Sequence, residues 1–82
     1  MKLTTNSIIT IDTNERYLIL NEAIVDNHEY FLVMGLDDNN NTIASKVAIF
    51  ESDYDGEDTY VIKIEDREMI SKIMNEIKKE MQ

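Results

Sequence analysis

His28 is the one side chain in the sequence whose unperturbed titration falls near neutrality, so a serine nucleophile would have to be activated by it, while a carboxylate pair is the other acid–base option and nothing singles out two of the seventeen acids. His28 stands in the polar stretch Asp26-Asn27-His28-Glu29, a composition that predicts a solvated turn. Ser7, Ser45, Ser52 and Ser71, the serines it would have to activate, lack the flanking glycines of a nucleophile elbow. The chain has no cysteine, which removes thiolate catalysis, disulfides and Cys-ligated zinc. Gly35 and Gly56 are its only glycines, too few for a phosphate-cradling loop. These residues predict a protein that is not an enzyme, with no catalytic residue, no metal ligand and no cofactor.

The densest chemistry lies in Glu51-Ser52-Asp53-Tyr54-Asp55-Gly56-Glu57-Asp58, five carboxylates around a glycine. Gly56 at the sixth position of a calcium loop would make Glu51, Asp53 and Asp55 the first, third and fifth ligands. The twelfth position is then Ile62, where a bidentate Glu is required, and both flanks have strand patterning instead of helical patterning. The segment therefore predicts an acidic hairpin tip. Asp37-Asp38-Asn39-Asn40-Asn41 fails the same test, because Thr42 stands where the loop needs glycine, and it predicts a turn built on Asx side chains. Tyr54, an aromatic flanked by acids, is a candidate protein-binding anchor. The expected partner-binding set is Glu51, Asp53, Tyr54, Asp55, Glu57 and Asp58.

Charge narrows the partner. Seventeen acidic residues against eight basic ones give a formal charge of −9 over 82 residues. That balance argues against a surface that neutralises nucleic-acid phosphates or adheres to anionic lipid. It also weakens a base-stacking reading of Tyr17, Tyr30, Tyr54 and Tyr60, which lack a basic track beside them. A basic protein surface is the partner class this charge favours. No apolar run is long enough to span a bilayer, and Met1-Lys2-Leu3-Thr4 leads into polar residues instead of a signal-peptide core, so a cytoplasmic location is expected.

The elements that position these groups follow from hydrophobic periodicity. A chain of this length is a single domain over residues 1–82. Strands are predicted at about 7–12, 16–25, 30–36, 43–51 and 59–65, with a bulge near Asn21-Glu22. Their short connections permit only antiparallel neighbours. From Asp66, a candidate N-cap, the period changes: Met69, Ile70, Ile73, Met74, Ile77 and Met81 form one stripe of a helix over about 66–81. The fold class is α+β, a five-stranded, mostly antiparallel curved meander sheet packed by one C-terminal helix. Tyr17-Leu18-Ile19-Leu20 and Tyr30 to Met34 are apolar on both faces, where a one-sided sheet would alternate. Strong curvature of the sheet is the favoured account, and a homodimer contact is the alternative.

The order of elements resembles the YrzB-like small acidic bacterial proteins, a family of unknown function. The resemblance rests on Ile9-Thr10-Ile11-Asp12 with Glu15, on Asp26 to Val33, and on Asp55-Gly56-Glu57 followed by Ile64-Glu65-Asp66-Arg67-Glu68, and it spans residues 7–78. Asn14 and Asn27 stand where that family carries glycine, and asparagine is the next residue able to adopt the left-handed conformation such turns need. Ile43-Ala44-Ser45-Lys46-Val47 is less acidic than the family pattern. The resemblance implies no activity and no catalytic residues.

The sequence thus predicts a non-enzymatic, acidic protein-binding or regulatory module that uses its acidic hairpin and a sheet edge. Two other readings follow from the same charge and size: a nucleic-acid-mimicking, phage-type inhibitor of a host nuclease or defence protein, and, less favoured, a small enzyme.

Overall fold

The computed structural model describes residues 5–11, 13–55 and 58–80. Five strands, β1 (Ile8–Thr10), β2 (Arg16–Val25), β3 (His28–Leu36), β4 (Thr42–Asp55) and β5 (Asp58–Lys63), precede one helix, α1 (Arg67–Glu80). The strands pair in sequence order, all antiparallel, as the short connections require. The sheet curls into a half-barrel, so the α+β meander with a C-terminal helix is the observed architecture.

Asparagine and aspartate make the turns. Asn14, Asp26, Asn27 and Asn40 all have positive φ, between 52° and 68°. Asp26 and Asn27 alone join β2 to β3, with Val25 opposite His28. Two consecutive left-handed residues give the hairpin turn whose twist matches its strands. The predicted four-residue turn is therefore too long: His28 and Glu29 belong to β3. Between β3 and β4 the Asp37 carboxylate accepts the N–H groups of Asn39 and Asn41, both at 2.9 Å, the Asx chemistry expected of that stretch.

One residue in β2 decides how the core divides. Ile19 pairs with Val33 and Asn21 with Leu32, leaving Leu20 as an extra residue. The predicted bulge is present, just ahead of Asn21-Glu22. Because strand side chains alternate with period 2, one inserted residue exchanges the faces. Tyr17 and Ile19 accordingly pack with Phe31, Val33 and Phe50 on the inner, concave face, together with Ile9, Ile11, Ala48 and Val61. Beyond Leu20, Ala23 and Val25 turn to the opposite face and pack with Tyr30, Ile49 and the helix residues Ile73 and Ile77. The strands are apolar on both faces because the curled sheet encloses one cluster and the helix covers the other.

The helix begins where its cap predicts. The Asp66 carboxylate accepts the Glu68 N–H at 2.9 Å, and the Asp66 carbonyl accepts that of Ile70. Glu68 in the first turn and Lys78 and Lys79 in the last suit the helix dipole. Met69, Ile70, Ile73, Met74 and Ile77 all join the outer cluster. Full burial of Ile73 and Ile77 stabilises the docked helix by roughly 1.5–3 kcal/mol gross for each side chain. Met81 lies outside the described residues. No helix among the described residues is long and apolar enough to cross a membrane.

Candidate protein-binding hairpin

The acidic segment is mostly strand. β4 continues to Asp55, four residues beyond its predicted end, and the β4–β5 ladder runs from Phe50 opposite Lys63 to Asp55 opposite Asp58. The Ile64 N–H donates to the Ile49 carbonyl at 2.8 Å, and this bond fixes the phase of the ladder. Pairs at Glu51–Ile62 and Asp53–Tyr60 then exchange backbone hydrogen bonds, while the backbone groups of Thr59, Val61 and Lys63 point away from β4.

The same register sorts the side chains. Glu51 lies opposite Ile62 and Asp53 opposite Tyr60, so carboxylates on β4 neighbour apolar side chains on β5. Tyr60 and Ile62 are 49% and 48% exposed, and both belong to the outermost strand of the sheet. Of the six expected partner-binding residues, Glu51 and Asp53 share this face. Tyr54, Asp55 and Asp58 are described as strand backbone, and Glu57, like Gly56, lies outside the described residues. Tyr60 and Ile62 were not in the expected set. Their signal in the sequence is the alternation Tyr60-Val61-Ile62-Lys63, which has apolar residues on both faces of a short strand.

Glu51 is also tied down from the other side. The His28 Nδ1 lies 3.3 Å from its Oε1, an ion pair when the imidazole is protonated. Tyr30 pairs with Glu51 across the β3–β4 ladder. Burial pushes the Tyr30 phenol above its ordinary value, and the neighbouring Glu51 and the charge of Asp26 push the same way. Glu51 therefore anchors the base of the hairpin to β3, and His28 serves that anchor from a strand. Among the described residues no group of three or more His, Asp or Glu side chains is arranged to hold a metal ion. Ser52, on the opposite face beside Val61, is buried, and its hydroxyl has no hydrogen-bond partner among the described residues.

A cleft of about 300 Å³ opens at the other end of the sheet, lined by Arg16, Tyr17, Gly35, Asp38 and Lys46 among others. β4 carries three unpaired residues there, Ala44 to Lys46, between the pairs Met34–Val47 and Gly35–Ile43. The excursion lays Lys46 over Gly35 so closely that a Cβ on Gly35 would meet the Lys46 Cβ at 2.8 Å. Arg16 bonds the Asp37 carbonyl and the Asn40 side chain. Lys46 lies 3.7 Å from Glu15. Hydrogen bonds from Thr13 and Tyr17, with the Lys46 charge adding, hold the Glu15 carboxyl below the usual carboxylate range. The cations of the cleft are thus engaged by groups of the same chain. The lone mid-strand glycine was the sequence signal for this close approach.

No family model, curated protein or solved structure matches the chain.

Proposed function

We propose that this is a non-enzymatic protein-binding or regulatory module whose β4–β5 hairpin recognises a basic protein surface. The observation that carries the reading is the ladder register, which sets Glu51 and Asp53 directly beside the exposed Ile62 and Tyr60. Carboxylates next to half-exposed apolar groups supply the two parts of a protein interface, long-range attraction and desolvatable area. Residues 51–63 contain five carboxylates and one lysine, so the attraction is directed at cations and weakens with salt. The cysteine-free composition and the YrzB-like turn motifs support a cytoplasmic setting in a bacterium or a phage-infected cell.

Affinity capture from the cell of origin at two ionic strengths tests the reading. Wild-type protein is compared with a variant carrying Asp53→Asn, Asp55→Asn, Glu57→Gln and Asp58→Asn. The expected result is a specific protein retained at low salt by the wild type and lost from the variant. Retention of the same proteins by both removes the hairpin from the interface.

A further inference from the structure

We infer that the outer edge of β5 accepts an extended segment of alternating basic and apolar residues as a sixth strand, an inference that rests on the hairpin being the protein-binding surface. Thr59, Val61 and Lys63 direct their backbone N–H and C=O groups away from β4, and among the described residues no strand pairs with β5 on that side. Such a row of unpaired groups is a template for strand addition.

The side chains on the two faces specify what is added. On one face Tyr60 and Ile62 are half exposed, with Asp53 and Glu51 one strand further in. Those carboxylates lie two strand spacings, about 9.5 Å, from an incoming backbone. A lysine or arginine on the incoming strand can lay its aliphatic stem across Ile62 or Tyr60 and bring its charge toward them. On the other face Val61 packs at the rim of the cluster formed by Ile19, Phe31, Val33 and Phe50, so an apolar residue beside Val61 extends that cluster. The segment therefore carries basic residues on the Tyr60–Ile62 face and apolar residues on the Val61 face, with period 2. A second copy of the chain is disfavoured as occupant, because pairing two β5 edges brings two strongly acidic hairpins together in a protein of net charge −9.

Register also dictates which amides of the incoming segment are used. In an antiparallel sixth strand, the orientation of every neighbour in this sheet, the residue opposite Val61 shares its face and is apolar, and it is this residue that exchanges backbone hydrogen bonds with β5. The probe is a blocked heptapeptide, Lys-Val-Lys-Val-Lys-Val-Lys, titrated into the intact protein at low salt and read by fluorescence anisotropy. N-methylation of its valine amides is expected to weaken binding by about tenfold or more, because several edge hydrogen bonds are lost. N-methylation of its lysine amides, which point away from β5, is expected to change affinity by less than about threefold. The Val61→Pro variant, which removes an outward N–H without touching the β4 ladder, is expected to lose affinity for the unmodified peptide to a similar degree. Should that variant unfold, the two methylated peptides decide the matter on wild-type protein. Equal binding of both methylated peptides would overturn strand addition and leave the acidic hairpin reading intact. Absence of binding by every basic peptide at low salt would remove both. A concentration-dependent rise in mass of the free protein, with β5 amides becoming protected, would identify a second copy as the occupant and overturn the inference.

Discussion

In the β2–β3 hairpin, Ile19, Ala23, Val25, Tyr30, Phe31 and Val33 are all buried, divided between the two faces of the sheet. In the β4–β5 hairpin, Ile49 and Phe50 are buried at the base, while Tyr60 and Ile62 stay about half exposed beside Glu51 and Asp53. Both are antiparallel ladders rich in β-branched and aromatic residues, so propensity does not separate them. Position does. β3 has neighbouring strands on both sides and β2 has them over Arg16–Leu18, and the pair has a helix over one face and the curl of the sheet over the other. Among the described residues, β5 has a strand on one side alone. The contrast teaches that burial is completed at the centre of the sheet, and that its margins leave apolar residues exposed beside carboxylates: Tyr60 and Ile62 with Asp53 and Glu51, and Ile24 with Glu29.

The severest way to break this contrast is Val33→Asp. Val33 has no exposed surface in the inner cluster, so the substitution buries an unpaired carboxylate there. Cooperative unfolding is expected to disappear from urea titrations followed by circular dichroism. Phe31→Ala is the next largest: with no exposed surface at the centre of the inner cluster, it should cost about 3–5 kcal/mol. Tyr60→Ala, on the uncovered hairpin, should stay within about 0.5 kcal/mol of wild type by the same measurement. Similar losses at the two sites would erase the distinction.

Ser52 sharpens the comparison in the opposite direction. Its buried hydroxyl has no partner among the described residues, and a buried unsatisfied group costs about 1–3 kcal/mol. Ser52→Ala is therefore expected to raise stability by about 1 kcal/mol, seen as a higher urea midpoint at unchanged m-value. The smallest effect concerns pH. Tyr30 is raised above its ordinary value of 10.0 chiefly by burial, so the fold favours the neutral phenol. Its contribution is fully present below pH 10 and is lost as pH rises from there through the raised folded value. Tyr17, raised for the same leading reason, acts in the same direction. Tyr30→Phe should make the alkaline decline in stability shallower, and an unchanged slope above pH 10 would count against the buried phenol.

Much of this was legible in the sequence, and the exceptions have particular causes. The helix, its Asp66 cap and its five-residue apolar stripe follow from spacing that only a 3.6-residue period satisfies. The doubly apolar strands correctly implied curvature, because no flat one-sided sheet can bury Phe31 and Tyr30 at once. The start of β3 was misplaced because Asp26-Asn27 turns the chain in two residues with neither being glycine, leaving His28 and Glu29 to look like more turn. The length of β4 was underestimated because Asp53 and Asp55, the acids in its last four residues, are depleted in strands. The cleft escaped altogether. It is assembled from the turn before β2, the end of β3 and the unpaired residues of β4, and only Gly35 hinted that backbone and side chain meet there.

Amide hydrogen exchange resolved by residue tests whether the outer edge of β5 is open. Tyr60, Ile62 and Ile64, whose N–H groups face β4, should be protected, while Thr59, Val61 and Lys63 exchange rapidly. That alternation, beside uniformly slow exchange at Phe31 and Val33 in the covered hairpin, is the predicted result. Uniform protection from Thr59 to Lys63 in the free protein would contradict it, since the edge would then already be covered.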